Sequence, residues 1–412
     1  MKIFTRTLEI TLTVFLVLLS GFRYQLENTE IRITTIIIVV MAVAAYIVAR
    51  VFKKEYDRTP EPSHIYVLYI LTVVTSVVHA FYIPAALLEL YLHLIAWFIF
   101  LGVYNLAANG YPIKRLENAA LITGGIYVLL KLGQIVTGLA ARVSTCSKFL
   151  LLPNKTAAFT TLVILLSLAV MINRRGRAKY LIGANLAGAI IVLLLTGSRG
   201  GLVAAWVSVS FMLIIYKRQE IIKTSWAMIA FIIVDMFIIA AVTIAIGRPA
   251  ECMALRPEAA AAAGLPLVSN NPAWDQSIIT RWELFKYAFT LFTRRPILGY
   301  GPGNFTILAA PAFRDNYKVT IHAHNIYLNT IAERGIIGLA SLAAVSVYMA
   351  LELIKSKNYL AAAALAAIIS IAVQGMADVV TIEPFIMRYF YIILALGLST
   401  TRKEKANEKS TI

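Results

Sequence analysis

Two of the five histidines in this 412-residue chain stand one residue apart, in Ile321-His322-Ala323-His324-Asn325-Ile326-Tyr327-Leu328. Asn325 has the side chain of a helix N-cap, and Ile326-Tyr327-Leu328 reads as the opening of that helix. His324 then sits at the positive end of a helix dipole, a field that disfavours imidazolium. The chemistry this suggests is acid–base work: a neutral imidazole that accepts a proton, as activation of an alcohol requires. The plainer alternative is a pair of interfacial histidines with satisfied hydrogen bonds. A zinc site is not expected, because no neighbouring cysteine or second acidic ligand completes one.

Arginine is the second candidate. Arg199 lies in Thr196-Gly197-Ser198-Arg199-Gly200-Gly201, between two apolar runs. The glycines allow backbone and ligand to approach closely, and a guanidinium fork suits phosphate oxygens better than an ammonium does. The alternative there is snorkelling to lipid headgroups. Arg281 stands in Gln276–Phe292, whose apolar residues recur at helical spacing. That pattern predicts an amphipathic helix on the membrane or over a cavity, from which Arg281 supplies a second anion contact. Arg294 and Arg295 read as headgroup anchors. Gly299, Gly301 and Gly303, in Pro296–Gly303, resemble a phosphate-cradling loop, but no strand precedes them, and a tight turn is the better reading.

These residues are held by an apolar chain. The sequence is 60% hydrophobic and only 14% charged, against about 25% charged in soluble domains, and its mean hydropathy is +0.78. Runs long enough to cross a bilayer as helices lie near 8–22, 33–49, 65–82, 86–104, 119–138, 156–172, 180–196, 201–216, 225–246, 335–354, 359–380 and 385–399. The expected fold class is an all-α integral membrane protein of about 12 transmembrane helices. It divides into residues 1–175 with the first six spans, 176–246 with three more and the Arg199 hairpin, a long outer loop 247–334 carrying the chemistry, three spans in 335–400, and a basic tail 401–412. The first run lacks a convincing cleavage site and reads as a retained span.

The net charge of +17 does not imply nucleic acid. Lysine and arginine cluster in alternate loops, at 50–58, 114–115, 174–179, 217–223 and 355–357, and in both terminal segments. The positive-inside rule makes that side cytoplasmic, with both termini there and the Arg199 and histidine segments on the outer face.

Other polar residues have local readings. Lys131 and Asp235 lie at comparable depth and suit a structural pair. Glu89 and His93 share a helix face, as a helix–helix hydrogen bond would require. Asp378, nearer the outer face, can orient a histidine, since a carboxylate fixes the tautomer of an imidazole and raises its basicity. Asn154-Lys155-Thr156 and Asn304-Phe305-Thr306 are glycosylation sequons that arise readily by chance. Cys146 and Cys252 allow one bridge at most.

Taken together, TGSRGG at 196–201, RPILGYGPGNF at 295–305 and HAHNIYLNTIAERGIIGL at 322–339 resemble the O-antigen ligase and polymerase superfamily of membrane glycosyltransferases. The resemblance implies a GT-C-like architecture and transfer of a glycan from a polyprenyl-diphosphate carrier on the outer face of the membrane. The implied acceptor is a hydroxyl of a lipid-linked or other glycan, in lipopolysaccharide or related polysaccharide biosynthesis. It implies no cofactor, metal or nucleotide sugar, and membrane lipids rather than nucleic acid as partners. His324 matches the family's essential histidine, the proposed base. Arg199 matches its diphosphate-holding arginine, Arg281 a second arginine, and Asp378 a late acidic residue. His322, Asn325 and Gly301 are then placed with Asp378 on the substrate side of the site.

Two readings compete with a ligase. A polymerase of the same superfamily passes the glycan to another growing chain. A secondary transporter of another class would use Asp235 and Lys131, but it should show related halves or broken spans at mid-membrane, and neither is evident.

Overall fold

A computed structural model describes residues 61–108, 110–140, 153–216, 273–313 and 322–410. The proposed spans 8–22, 33–49 and 225–246, Asp235 and both cysteines fall outside the described residues. Eleven α-helices and no strand occur among the described residues. They are α1 (Glu61–Val78), α2 (Ile83–Ala108), α3 (Ile113–Ala140), α4 (Pro153–Asn173), α5 (Ala178–Leu195), α6 (Arg199–Tyr216), α7 (Ala273–Arg294), α8 (Phe305–Phe313), α9 (Ile326–Ile354), α10 (Tyr359–Gly375) and α11 (Pro384–Ser410), with a 3-10 turn at Val380–Ile382 before the last.

Six of these are long and apolar enough to cross a membrane: α2, α3 over Ile113–Val136, α4, α5, α9, and α11 over Pro384–Arg402. Helices α1, α6 and α10 are apolar but shorter. Burial separates the core from the periphery. The apolar window is 78% buried in α4 and 89% in α11, but between 22% and 33% in the other four. The peripheral helices therefore turn large side chains outward, among them Leu129 and Leu181, as helices bordering lipid do. Around α10 the packing is close because its inner face is alanine, from Ala361 to Ala364 with Ala366 and Ala367, all buried. A Cβ on Gly397 of α11 would overlap Ala364, and one on Gly201 of α6 would overlap Ala157 of α4. Small residues thus set the helix spacing where apolar attraction alone does not.

Polar contacts gather at the two ends of the bundle. At one end Arg174 donates to Glu117 at 2.9 Å, Tyr359 donates to the same carboxylate at 2.6 Å, and Ser356 donates to Glu404. This is the end of the basic loops 114–115, 174–179 and 355–357. The histidines, Arg199 and Asp378 lie at the other.

Helix α9 starts where Asn325 predicts. The Asn325 side chain accepts from the N–H groups of Tyr327 and Leu328, each at 2.9 Å. The helix thus begins inside the segment read as outer loop. It then breaks at Gly335, which has φ 62° and ψ −164°. The Pro296–Gly303 turn fills the break. Tyr300 N–H donates to Ala332 O at 3.1 Å and Gly301 N–H to Glu333 O at 2.7 Å, while Pro296 O accepts from Ile336 N–H at 2.8 Å. Ser76 of α1 adds a bond to Leu298 O at 2.9 Å. Every backbone group freed by the kink near these contacts would be costly if left unpaired in an apolar setting. The tight-turn reading of the glycines holds: Gly299, Gly301, Gly303 and Gly335 all have positive φ.

The amphipathic helix also forms, as α7, packed against α9. Leu284, Ala288 and Leu291 are buried, and Trp282 and Phe289 are exposed. Helix α10 ends at Gly375, earlier than the run to 380 suggested, because Ala377 and Asp378 N–H groups fold back onto Gln374 O. Asp378 therefore lies in a turn beyond the span rather than within it.

Candidate functional site

His322, His324 and Asp378 converge on one point. His322 Nε2 lies 3.4 Å from Asp378 Oδ1, and His324 Nδ1 lies 3.2 Å from the same oxygen. The two imidazole centroids are 4.2 Å apart. Backbone geometry makes the pairing. His324 has φ 48°, the left-handed region in which histidine is one of the commoner non-glycine residues. That turn folds its ring back beside His322 instead of outward. On the other side, the short turn after α10 presents Asp378, whose Oδ1 also accepts from Val379 N–H at 2.8 Å.

The bonding fixes the proton on one ring. His324 N–H donates to His322 Nδ1 at 3.2 Å. A neutral His322 must then carry its proton on Nε2 and point it at Asp378. Three potential ligand atoms from His322, His324 and Asp378 lie within 4.8 Å of one another, a spacing that a metal ion could bridge. Using His322 Nε2 as a ligand would, however, require its proton to go and the bond from His324 N–H to be given up. The geometry favours a histidine–carboxylate cluster. His324 differs from His322 in access: its side chain is 29% exposed, against 9%. Its Nδ1 is buried and close to Asp378, but the N–H direction lies off the line to the oxygen. Contacts of this kind commonly tighten when substrate closes a site.

Burial is the first cause that pushes His322 down, to about 3, and the charges of His324, Lys155 and Arg281 act in the same sense against the attraction of Asp378. For Asp378, burial alone would raise the carboxyl. The His324 contact, the charges of both histidines and the Asn154 amide outweigh it and hold the carboxyl well below the usual carboxylate range. Both depressed values act on stability in one direction. The folded state resists protonation that the unfolded chain accepts, so stability is full above about pH 6.5 and falls on acidification, first through His322 and below about pH 4 through Asp378. His322→Asn keeps an acceptor for His324 N–H but removes the titrating ring. Its thermal midpoint in detergent should fall less steeply than that of the wild type between pH 6.5 and pH 4, and an unchanged slope would exclude His322 as the responsible group.

The arginines approach from two other elements. Arg199 is exposed and is the first residue of α6. Its hairpin packs against the Asp378 turn, since a Cβ on Gly200 would meet Ala377 Cβ at 3.3 Å. Arg281 is half-buried on α7, and its charge is felt at His322. Lys155, inside the first sequon, is also felt at His322 and forms a close ion pair with Glu383. Asn154 was read only as a sequon, but its side chain donates to Asp378 Oδ2 at 2.8 Å. The sequence offered no signal for either residue, because both reach the histidines from a helix remote in the chain.

Two residues placed on the substrate side have other work. Asn325 uses its oxygen as the α9 cap and its nitrogen on Met376 O at 3.1 Å. Gly301 is packed on Ala80 within the turn that fills the α9 break, where its N–H serves Glu333 O. Asn304 of the second sequon is buried and donates to Tyr82 O and Pro302 O. Arg295 stacks on the Tyr300 ring at 4.6 Å and donates to His79 O, so it braces the turn. Lys131 donates to Gln134, and its expected partner Asp235 lies outside the described residues. His93 packs edge-on against Tyr69, the ring that also receives buried Arg334.

No curated protein matches the chain. Residues 184–343 match the sequence model of the family described as O-Antigen ligase, a segment that carries Arg199, Arg281, His322 and His324, and this match supports the O-antigen ligase and polymerase superfamily for the chain, with an enzyme of glycosyltransferase or ligase type.

Proposed function

We propose that the protein transfers a glycan from a polyprenyl-diphosphate carrier to an acceptor hydroxyl at the outer face of the membrane, as an O-antigen ligase does. The observation that carries this reading is His324 Nδ1 against the buried Asp378 carboxylate at 3.2 Å, on the more exposed of the two histidines. With Nδ1 turned to Asp378, Nε2 is the nitrogen left to take a proton. The acceptor O–H gives its proton to His324 Nε2 as its oxygen attacks the anomeric carbon. The bond from that carbon to the diphosphate breaks, and its electron pair leaves on the diphosphate oxygen. Displacement from the opposite face inverts the carbon. Asp378 holds the ring and stabilises the imidazolium that forms.

Charge on the leaving group is the second requirement. Arg199, on the hairpin packed against the Asp378 turn, and Arg281, whose charge is felt at His322, would stabilise the diphosphate as its charge grows, so the reaction needs no metal ion. The topology supports this: the histidine end of the bundle is opposite the basic loops, which the charge bias assigns to the cytoplasm. A polymerase would use the same groups with a growing glycan as acceptor.

The experiment is transfer from a polyprenyl-diphosphate glycan in detergent with EDTA, with lipid-linked and glycan acceptors compared. Arg199→Ala should lower kcat/KM for the donor about tenfold to a hundredfold, the range for losing charge-assisted bonds. Arg199→Lys should recover part of that loss, because it keeps the charge but not the fork. An unchanged kcat/KM in both variants would remove Arg199 from the donor site.

A further inference from the structure

The Asp378 carboxylate that faces His324 is itself held from behind. Asn154 Nδ2 donates to Asp378 Oδ2 at 2.8 Å. Ser198 Oγ donates to Asn154 Oδ1 at 2.8 Å and accepts from Gly201 N–H at 3.2 Å. Gln374 Nε2 donates to the Asn154 backbone carbonyl at 2.7 Å. The orientation of the Asn154 amide follows from its partners. The Asp378 carboxylate can only accept, so the amide must turn Nδ2 to it, and Oδ1 is then left to accept the Ser198 hydroxyl proton. Ser198 and Gln374 are buried, at 5% and 1% exposure. Ser198 precedes Arg199 in the chain, so the hairpin that carries the arginine and the turn that carries Asp378 are joined through one asparagine.

We propose that Asn154, locked by Ser198, is a positioning residue for the transfer reaction: it fixes the Asp378 carboxylate so that Oδ1 faces His324, and it ties that carboxylate to the Arg199 hairpin. This deepens the reading of His324 as the base and rests on it. Asn154 touches neither substrate nor the reacting atoms. Its removal lets the carboxylate turn, and a small displacement of a group that orients a base costs on the order of a hundredfold in rate. The role needs a donor at this position. Leucine would fill the space without one, and a second carboxylate would supply one only when protonated.

That last property gives the test. Asn154→Asp is isosteric, and its Oδ1 still accepts from Ser198. Its other oxygen faces Asp378 Oδ2 at hydrogen-bond distance, so the two carboxyls must share a proton to keep the contact. Wild type, Asn154→Asp, Asn154→Ala and His324→Asn are to be assayed for kcat and donor KM from pH 5 to pH 8 at equal folded yield. Asn154→Ala should lose about tenfold to a hundredfold in kcat at every pH with donor KM held within about twofold. Asn154→Asp should approach wild-type kcat at the acid end and fall away from it progressively as pH rises. A purely structural role would lower yield or stability without giving this pH-dependent ratio. Wild-type kcat in Asn154→Ala, or a ratio of Asn154→Asp to wild type that is flat with pH, overturns the proposal while leaving the base intact, provided that His324→Asn is inactive. Full activity in His324→Asn, or no transfer by the wild type, overturns the base and the positioning role together.

Discussion

Replacing His324 with asparagine is expected to lower glycan transfer by at least about a hundredfold and to leave the protein folded. Asparagine is the informative choice because position 324 has φ 48°, and asparagine enters the left-handed region more readily than alanine does. The substitution therefore keeps the turn that brings the segment to Asp378. It removes the ring nitrogen proposed to take the acceptor proton. General-base catalysis contributes about 10²–10⁴-fold, so kcat should fall by that factor with donor KM little changed. Thermal stability and elution volume in detergent should match the wild type. Alanine at 324 should lose the same activity and additionally some stability, because its Cβ is strained where it stands. A His324→Asn protein that keeps more than a tenth of wild-type kcat would remove this residue as the base.

The second large effect concerns folding. Gly335→Ala should prevent most of the protein from reaching its folded state. Gly335, at φ 62° and ψ −164°, occupies a region open essentially to glycine alone. A Cβ there would overlap the carbonyl of Ile297. Strain of this kind costs about 1–3 kcal/mol. Pushing the turn away would also break the bonds of Tyr300 to Ala332, Gly301 to Glu333 and Ile336 to Pro296, each leaving buried groups that cost about 1–3 kcal/mol. The combined loss is comparable with the whole stability of a typical protein, about 5–15 kcal/mol. The control is Gly102→Ala in α2, where nothing lies within 4 Å of the added atom and helix propensity favours alanine by up to about 1 kcal/mol. Yield of monodisperse protein and thermal midpoint in detergent should separate the two clearly. A Gly335→Ala protein with wild-type midpoint would mean that the break in α9 is not required.

These two glycine and histidine positions mark the boundary of what could be read in advance. Most of the helices were legible as continuous apolar runs and α7 by its helical periodicity, and the start of α9 was legible because Asn325 does its capping through backbone groups two and three residues away. The turn at Pro296–Gly303 was legible as a turn for the same local reason. Its partner was not. Nothing in RPILGYG indicates that it fills a break in a helix some thirty-five residues later, since those bonds are between backbone groups that every sequence possesses. Gly301 consequently looked like a ligand contact, although its N–H is spent on Glu333 O.

The histidine pair and Arg199 stood out by type and setting, and Asp378 by being an acidic residue at the right depth. Their meeting did not. The chain by itself determined that this is a helical membrane protein, roughly where most of its described helices run though not the short α8, and which side chains have the chemistry of a base and an anion clamp. Those properties depend on composition and on neighbours within a turn of helix. Only the tertiary structure decided that one Asp378 oxygen faces both histidines, that His322 is the buried member and His324 the accessible one, and that Asn154 and Ser198 stand behind the carboxylate. Distances of about 3 Å between α4, the α5–α6 hairpin, the α9 entry and the α10–α11 turn follow from how alanine and glycine let those helices close, which is a property of the packed bundle and of no single segment.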